Sequence, residues 1–595
     1  MLERWPPRLW AQGYNRATLG ADALAALIVT VMLIPQSLAY AMLAGLPPEV
    51  GLYASVAPLV AYALLGSSRV LAVGPVAVVS LMTATALGDV AAPGTPQYVA
   101  AALTLALLSG GLLLLMGALR LGVLAHFLSH PVVGAFMSAS ALLIAAGQLK
   151  SLLGISASGT ALWTLAPSLW MHLGQWHGLT SLVGLGSLLF LGLIRSRLKP
   201  ALLHLGIGAR WADAAVKTGP IVAVVGTAVW SWAVDAAEQG VRVVGHVPQG
   251  LPPLALPGWD PALWQALCLP ALLISVVGFV ESVSVGQTLA AKRRLRVEPN
   301  QVLLALGAGT VSAAFTGGMP VTGGFARSVV NFDAGAQTPL AGVLTAGGIL
   351  LASLLLTPAL FHLPQATLAA TITVAVLSLV DLGLLRRTWR YAKSDFSAAV
   401  ATLGGTLLLG VETGLVLGVG LSLALHLIRT SRPHIAEVGW VPGTEHFRNV
   451  LRHAVRVSPR LLSLRVDESL YFANSRTLED RINAAVAERP ALEFVVLQCS
   501  AINDIDASAL ESLEAIERRL QEAGVQLHMS EVKGPVMDRL LKTEFAQTMQ
   551  GRWHLTHFMA VKALTPEVCD DASPQAPPTP PVTKDPQACR PDANG

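Results

Sequence analysis

The sequence predicts a polytopic α-helical membrane protein with a small α/β domain at its C-terminal end, and three observations carry that prediction. Apolar stretches long enough to cross a bilayer recur from the N-terminal region to about Ile428. Charged residues make up only 13% of the 595-residue chain and the mean hydropathy is +0.58, whereas an average soluble domain carries roughly 25% charge. After Pro433 the charge density becomes that of a soluble protein and the hydrophobic pattern switches to β/α alternation.

The apolar stretches fall at approximately 22–45, 50–66, 70–88, 97–118, 122–152, 178–195, 219–236, 263–290, 300–316, 320–332, 339–357, 364–383, 395–411 and 413–429, about fourteen spans. The two around Pro75 and Pro320 are short for full crossings. Lys and Arg in the short loops give the orientation. Arg4, Arg8 and Arg16 precede the first span. Arg69, Arg120, the 195–199, 292–296 and 386–393 clusters, and Arg429 with Arg432 follow later spans. Fourteen crossings put all of these on one face and the segment 153–177, which has no Lys or Arg, on the other. Both termini are therefore expected in the cytoplasm, with the chain in the cytoplasmic (inner) membrane. The N-terminus shows no cleavable h-region, so the first span is expected to remain in the mature protein.

In the soluble part, 461–472 reads as strands, 476–488 as a helix, 494–497 as a buried strand, 507–523 as an amphipathic helix and 525–529 as a further strand. The organisation predicted is a cytoplasmic N-terminal segment (1–18), a transmembrane domain (19–432), an α/β domain (440–565) and a disordered Pro-rich tail (566–595). A net charge of +4 is too mild for nucleic-acid binding. The four Cys (268, 499, 569, 589) show neither metal-ligand spacing nor a disulfide framework. There is no Walker A signature, zinc motif or nucleophile elbow. The expectation is a protein without cofactor or metal that is not an enzyme.

The chemistry concentrates in a few membrane residues. Val73-Gly74-Pro75-Val76-Ala77 and Gly317-Gly318-Met319-Pro320-Val321-Thr322-Gly323-Gly324-Phe325-Ala326-Arg327 each place a Pro at the start of a short helical run, in the third span of each set of seven. Paired Gly/Pro-interrupted spans in two halves point to an inverted-repeat transporter site. Two helices starting at mid-membrane turn free N–H groups and positive dipole ends towards one point, which suits an anion. The plainer reading is two ordinary kinked helices. An ionised Arg at mid-bilayer costs about 2.5–3.5 kcal/mol, so Arg327 either attracts an anion or snorkels to the interface. Glu281, in an apolar run, is a proton carrier or the fixed ion-pair partner of Arg327. Gln36 and Tyr40 share a helix face, to bind a ligand or to bond a neighbouring helix. In the soluble domain Asp506 suits an N-cap, and Ser508 in the first turn is either part of simple capping or a phosphorylation site.

Taken in order, Pro35-Gln36-Ser37-Leu38-Ala39-Tyr40-Ala41, Leu46-Pro47-Pro48-Glu49-Val50-Gly51-Leu52-Tyr53, Gly66-Ser67-Ser68-Arg69, Val73-Gly74-Pro75-Val76-Ala77, Glu281 and the 320–328 segment resemble the SulP family, solute carrier family 26. The domain that follows resembles a STAS domain. The likeness covers about 18–563. It implies a 7+7 inverted repeat with core and gate domains, elevator-like alternating access and a homodimer. It also implies a pocket lined by Gln36 and Tyr40, backbone amides of Val76 and Ala77, and a facing wall of Phe325, Ala326 and Arg327. Glu281 matches the carboxylate proposed for cation coupling and looks like that of proton-coupled members. Many relatives carry Ser where this chain has Ala326, so their substrate preference does not transfer. Ser508 matches the position phosphorylated in anti-sigma factor antagonists.

The leading expectation is proton-coupled symport of sulfate or a similar small anion. The alternatives are a sodium-coupled bicarbonate importer, a C4-dicarboxylate/proton symporter, an uncoupled anion channel, and a membrane-anchored signalling scaffold whose STAS domain binds a cytoplasmic partner.

Overall fold

The computed structural model describes residues 14–570, apart from 127, 128, 158, 160, 207, 209–211, 213, 214 and 217. Most of the predicted N-terminal segment, and residues 571–595 of the predicted tail, lie outside the described residues. The chain divides into two compact units, Met1–Ser422 and Leu423–Gly595.

The first unit is helical. Among the described residues, seven helices are long and apolar enough to cross a membrane, and shorter apolar helices accompany them. The elements used below are α1 (Arg16–Leu43), β1 (Val73–Gly74), α2 (Ala77–Gly88), α3 (Pro96–Ala118), α4 (His130–Leu153), α5 (Pro261–Lys292), α6 (Pro299–Phe315), β2 (Thr322–Gly323), α7 (Phe325–Asp333), α8 (Leu340–Leu355) and α9 (Gln365–Leu377). Local chemistry sets several boundaries. Asn15 caps α1 by accepting from the Thr18 amide at 2.9 Å. Helices α3, α5 and α6 open on Pro96, Pro261 and Pro299, whose missing N–H costs nothing there.

Each predicted span contains a helix, with three differences of detail. The 122–152 span begins as a 3₁₀ turn, and its α-helix starts only at His130. The basic-free segment 153–177 carries a helix of its own, Leu162–His172. The two short spans are shorter still, because their first residues are extended. α2 starts at Ala77 and α7 at Phe325, so neither Pro75 nor Pro320 occupies a first helical position. The reason is the residue before each Pro, which is driven out of the helical region, so that the chain runs extended through both prolines.

Close packing of small residues ties α3 to α6. A Cβ on Gly110 would lie 2.7 Å from Val311, and one on Gly307 would lie 2.7 Å from the Leu114 amide. Where the solvent is lipid, such close approach is a main source of helix association. Ser109 and Ser275 join α3 to α5 through a buried hydrogen bond of 2.9 Å. Asp22, fully buried on α1, is satisfied: it accepts from the Gln337 amide (2.6 Å), the Thr338 amide (3.1 Å) and the Thr338 hydroxyl (2.5 Å) just before α8.

The second unit contains a six-stranded sheet of β3 (Ile435–Trp440), β4 (Phe447–Asn449), β5 (Leu461–Val466), β6 (Phe494–Gln498), β7 (Gln526–Ser530) and β8 (Trp553–His554), in the order β4-β3-β5-β6-β7-β8. β5 to β8 are parallel, and β3 is antiparallel to both of its neighbours. Helices α10 (Ser475–Glu488), α11 (Ala507–Glu522) and α12 (His557–Leu564) complete the part used below. The strand predicted over 461–472 stops at Val466, and only Leu470 pairs again, as a single bridge to Ile505. The ordered chain begins before 440, with β3, and continues past 565 into a 3₁₀ turn at Pro566–Val568.

Candidate functional site

The site is built on a two-residue antiparallel ribbon inside the membrane unit. Val73 lies opposite Gly323 and Gly74 opposite Thr322. The two strands run in opposite directions, so α2 and α7 leave the ribbon in opposite directions with their N-termini beside it. α5 holds the ribbon: Ser282 Oγ accepts from the Gly323 amide (2.9 Å) and bonds Thr322 Oγ1 (2.7 Å), whose hydroxyl also reaches the Gly278 carbonyl (2.6 Å). α7 grips the segment ahead of β1. The Ala72 amide donates to Ser328 Oγ (3.0 Å), and Asn331 donates to the Val70 carbonyl (3.0 Å).

Neither short helix has a side-chain cap. The first helical bonds run from Ser80 N to Val76 O and from Ser328 N to Gly324 O. The amides of Ala77, Val78, Val79, Phe325, Ala326 and Arg327 therefore have no acceptor among the described residues, the condition in which a helix start attracts an anion.

One cavity collects the predicted residues. Gln36 and Tyr40 from α1, Val76 and Ala77 at the start of α2, Glu281 from α5, and Phe325, Ala326 and Arg327 from α7 all line it. Its volume is about 40 Å³. Gln36 and Tyr40 face this space, and neither bonds a neighbouring helix. Ala375 and Val376 of α9, with Leu379 beyond it, close the remaining wall. Sequence reasoning missed these three, since an apolar residue in an apolar helix gives no signal of which neighbour it faces.

Arg327 is 2% exposed, and its Nη1 and Nη2 are buried without a hydrogen-bond partner. It does not snorkel, and no carboxylate among the described residues lies within ion-pairing distance. Its place is cut from glycine: a Cβ on Gly74 would sit 2.3 Å from Nη1, and one on Gly324 would sit 2.7 Å from Nε. Glu281, 8% exposed, has Oε2 buried without a partner. The two charges thus share a cavity without forming a fixed ion pair. A buried unpaired charge is costly unless something mobile serves it.

Ser508 lies elsewhere, in the soluble unit. Asp506 caps α11 through the Ala509 amide (2.8 Å) and also accepts from the Phe472 amide (2.9 Å). Ser508, the second residue of α11, is exposed and its hydroxyl takes no part in the cap.

Residues 19–402 match the sulfate permease family and residues 452–560 match the STAS domain. A chloroplastic sulfate transporter of Arabidopsis thaliana is 34% identical over 546 residues, 89% of this chain and 78% of the relative. A probable sulfate transporter of Mycobacterium tuberculosis is 34% identical over 540 residues, 89% of this chain and 93% of the relative. Among solved structures, murine solute carrier 26 family member A9, an anion transporter, superposes with a TM-score of 0.85 at 21% identity, covering 94% of each chain. The transmembrane domain of the cyanobacterial bicarbonate transporter BicA gives 0.58 at 21% identity, covering 68% of this chain and 99% of that one. The ribbon, the two uncapped helix starts and the buried arginine therefore stand in a chain that belongs to the sulfate permease family, an anion transporter with a C-terminal STAS domain.

Proposed function

We propose that the protein is a secondary active transporter carrying sulfate or a similar small inorganic anion together with a proton, by elevator-type alternating access. The observation that carries this reading is the buried Arg327 guanidinium, unpartnered, beside two helix starts whose amides have no acceptor. Together they supply positive potential and fixed donors where water is scarce. Gln36 and Tyr40 supply further hydrogen bonds from the opposite wall. Glu281 binds the proton: protonated, it removes a negative charge from the cavity that the anion enters, so anion and proton favour each other's binding. A cavity of about 40 Å³ has room for roughly three waters' worth of ligand. That suits a small inorganic anion. Bicarbonate is the second reading, favoured by the fold shared with a bicarbonate transporter.

Transport in this reading needs no cofactor and no catalysis. The working unit is a homodimer in the cytoplasmic membrane with both termini in the cytoplasm, divided at 19–432 and 440–565 as the sequence suggests. The STAS domain meets a cytoplasmic partner, and Ser508, exposed at a helix start, is its phosphorylation site.

The test is uptake of radiolabelled sulfate, bicarbonate and succinate into proteoliposomes under an imposed proton or sodium gradient. Sulfate is expected to accumulate with protons. Glu281→Gln is expected to lose proton-driven accumulation while retaining sulfate counterflow, and Arg327→Ala to lose both. Accumulation driven by sodium alone, or unchanged in Glu281→Gln, would refute proton coupling through Glu281.

A further inference from the structure

We infer that a second, wider cavity in the membrane unit is an anion-capture vestibule, and that Lys150 and Arg242 are the residues that draw the substrate into it. The inference rests on the reading of the central cavity as the anion site. The wide cavity, about 700 Å³, is lined by the C-terminal halves of α1, α2 and α4 and the N-terminal half of α9. It lies about one helical turn from the central cavity along three shared helices. Ala39 of α1 follows Gln36 by one turn, Leu81 of α2 follows Ala77, and Ile372 of α9 precedes Ala375 and Val376. An ion leaving the vestibule therefore needs to pass only about one helical turn to reach Arg327.

The charge of the vestibule is one-sided. Among its described lining residues the only ionisable charges at neutral pH are Lys150, near the end of α4, and Arg242, in the segment before α5; none of them is a carboxylate. Both are exposed, and neither has an ion-pair partner among the described residues. Arg242 is steadied at one end, because its carbonyl accepts from the Gln365 amide (2.9 Å) where α9 begins and its Nη2 donates to Ser156 Oγ (3.3 Å). A second observation sets these cations apart. On the topology expected from the sequence, the vestibule lies on the face reached by the end of α1, opposite the face that carries the basic loop clusters. Between the spans, that opposite rule leaves this face without basic residues except these two. Two cations on the depleted face, both in one cavity a helical turn from the site, serve the anion rather than the topology. Apolar walls around them focus their field.

The experiment is initial-rate uptake in intact cells that lack their own sulfate uptake, using whichever of radiolabelled sulfate, bicarbonate and succinate the wild type takes up. Rates are measured against anion concentration at low and high ionic strength, with the amount of protein at the surface determined for each variant. Lys150→Gln with Arg242→Gln is expected to raise KM about 5–10-fold for a divalent anion with Vmax within about 2-fold, and to flatten the ionic-strength dependence. Lys150→Arg is expected to keep wild-type KM. Unchanged KM and unchanged salt dependence, or a fall in Vmax alone, overturns the inference. Arg327→Ala in the same series separates the two readings. If it transports normally while the vestibule variants raise KM, the central site fails and the vestibule stands. If it is inactive while the vestibule variants behave as wild type, the vestibule fails and the central site stands.

Discussion

Buried charge is handled differently in the two units of this protein. In the soluble unit Glu517 is 3% exposed and is met by Arg552 at 3.0 Å. The half-buried Glu437 is clamped by Arg489 with two bonds of 2.9 and 2.7 Å. In the membrane unit the buried charges divide into two kinds. Asp22 is served by four donors, the Gln337 and Thr338 amides and the Thr338 and Tyr14 hydroxyls, as a structural carboxylate should be. Arg327 and Glu281 share one cavity, with buried polar atoms that nothing among the described residues satisfies. The lesson is that burial does not separate structural from functional charge. Hydrogen-bond satisfaction does, because an unserved charge is retained only where a ligand or a proton serves it in turn.

The sharpest way to break this contrast is to remove one charge of each kind. Arg327→Met is expected to reduce transport by at least about 100-fold, the loss of a charged contact worth roughly 3 kcal/mol in the binding step. It should leave the thermal unfolding midpoint in detergent at or above that of the wild type, since no partner is left orphaned. Asp22→Ala should do the reverse, because it strands the amides of Gln337 and Thr338 and the Thr338 hydroxyl. The expected cost is about 3 kcal/mol of stability, seen as a lowered midpoint and reduced yield. A large loss of stability in Arg327→Met would mean that its guanidinium is a structural group after all.

The same contrast explains what the sequence could convey. Arg327 and Glu281 were legible because a charge in an apolar run is costly and therefore conspicuous. The polytopic helical frame was legible because apolar stretches of bilayer length can be read directly along the chain. The ribbon was not: strands of two residues have no periodicity, and their pairing depends on Ser282 and Thr322, two small hydroxyl residues that are common inside membrane helices. Val76, Ala77, Phe325 and Ala326 entered only through family resemblance, since what they offer is backbone. In the soluble unit the central strands β5, β6 and β7 were legible as apolar runs. β8 is two residues long, and β3 follows a membrane helix after only a short break, where the change of period is masked.

A smaller effect tests the soluble side. Glu517→Gln keeps the shape of the side chain but removes the charge facing Arg552. Because Arg552 is partly exposed and can turn to water, the expected loss is about 1–2 kcal/mol rather than the larger cost of breaking a fully buried pair. The reading is the unfolding midpoint of the full chain. Transport measured at a temperature where the chain stays folded should be within about 2-fold of wild type.

A pH dependence comes from the soluble unit's own unsatisfied groups. His528 and His557 each have a buried Nε2 without a partner, while their Nδ1 atoms bond His554 (3.1 Å) and Ser530 (2.8 Å). Burial, the dominant cause, lowers both from the ordinary histidine value to about 4. A histidine kept neutral by the fold binds its proton more readily when unfolded. Stability is therefore full above about pH 6.5 and declines as the pH falls towards 4. The soluble unit is expected to lose a few degrees of unfolding midpoint between pH 7.5 and 5, and His557→Gln should flatten that slope. These imidazoles avoid the cost of unpaired burial by staying neutral, an option largely closed to an arginine. That is why unserved histidines can sit in a sheet domain as structure, while an unserved Arg327 calls for an anion.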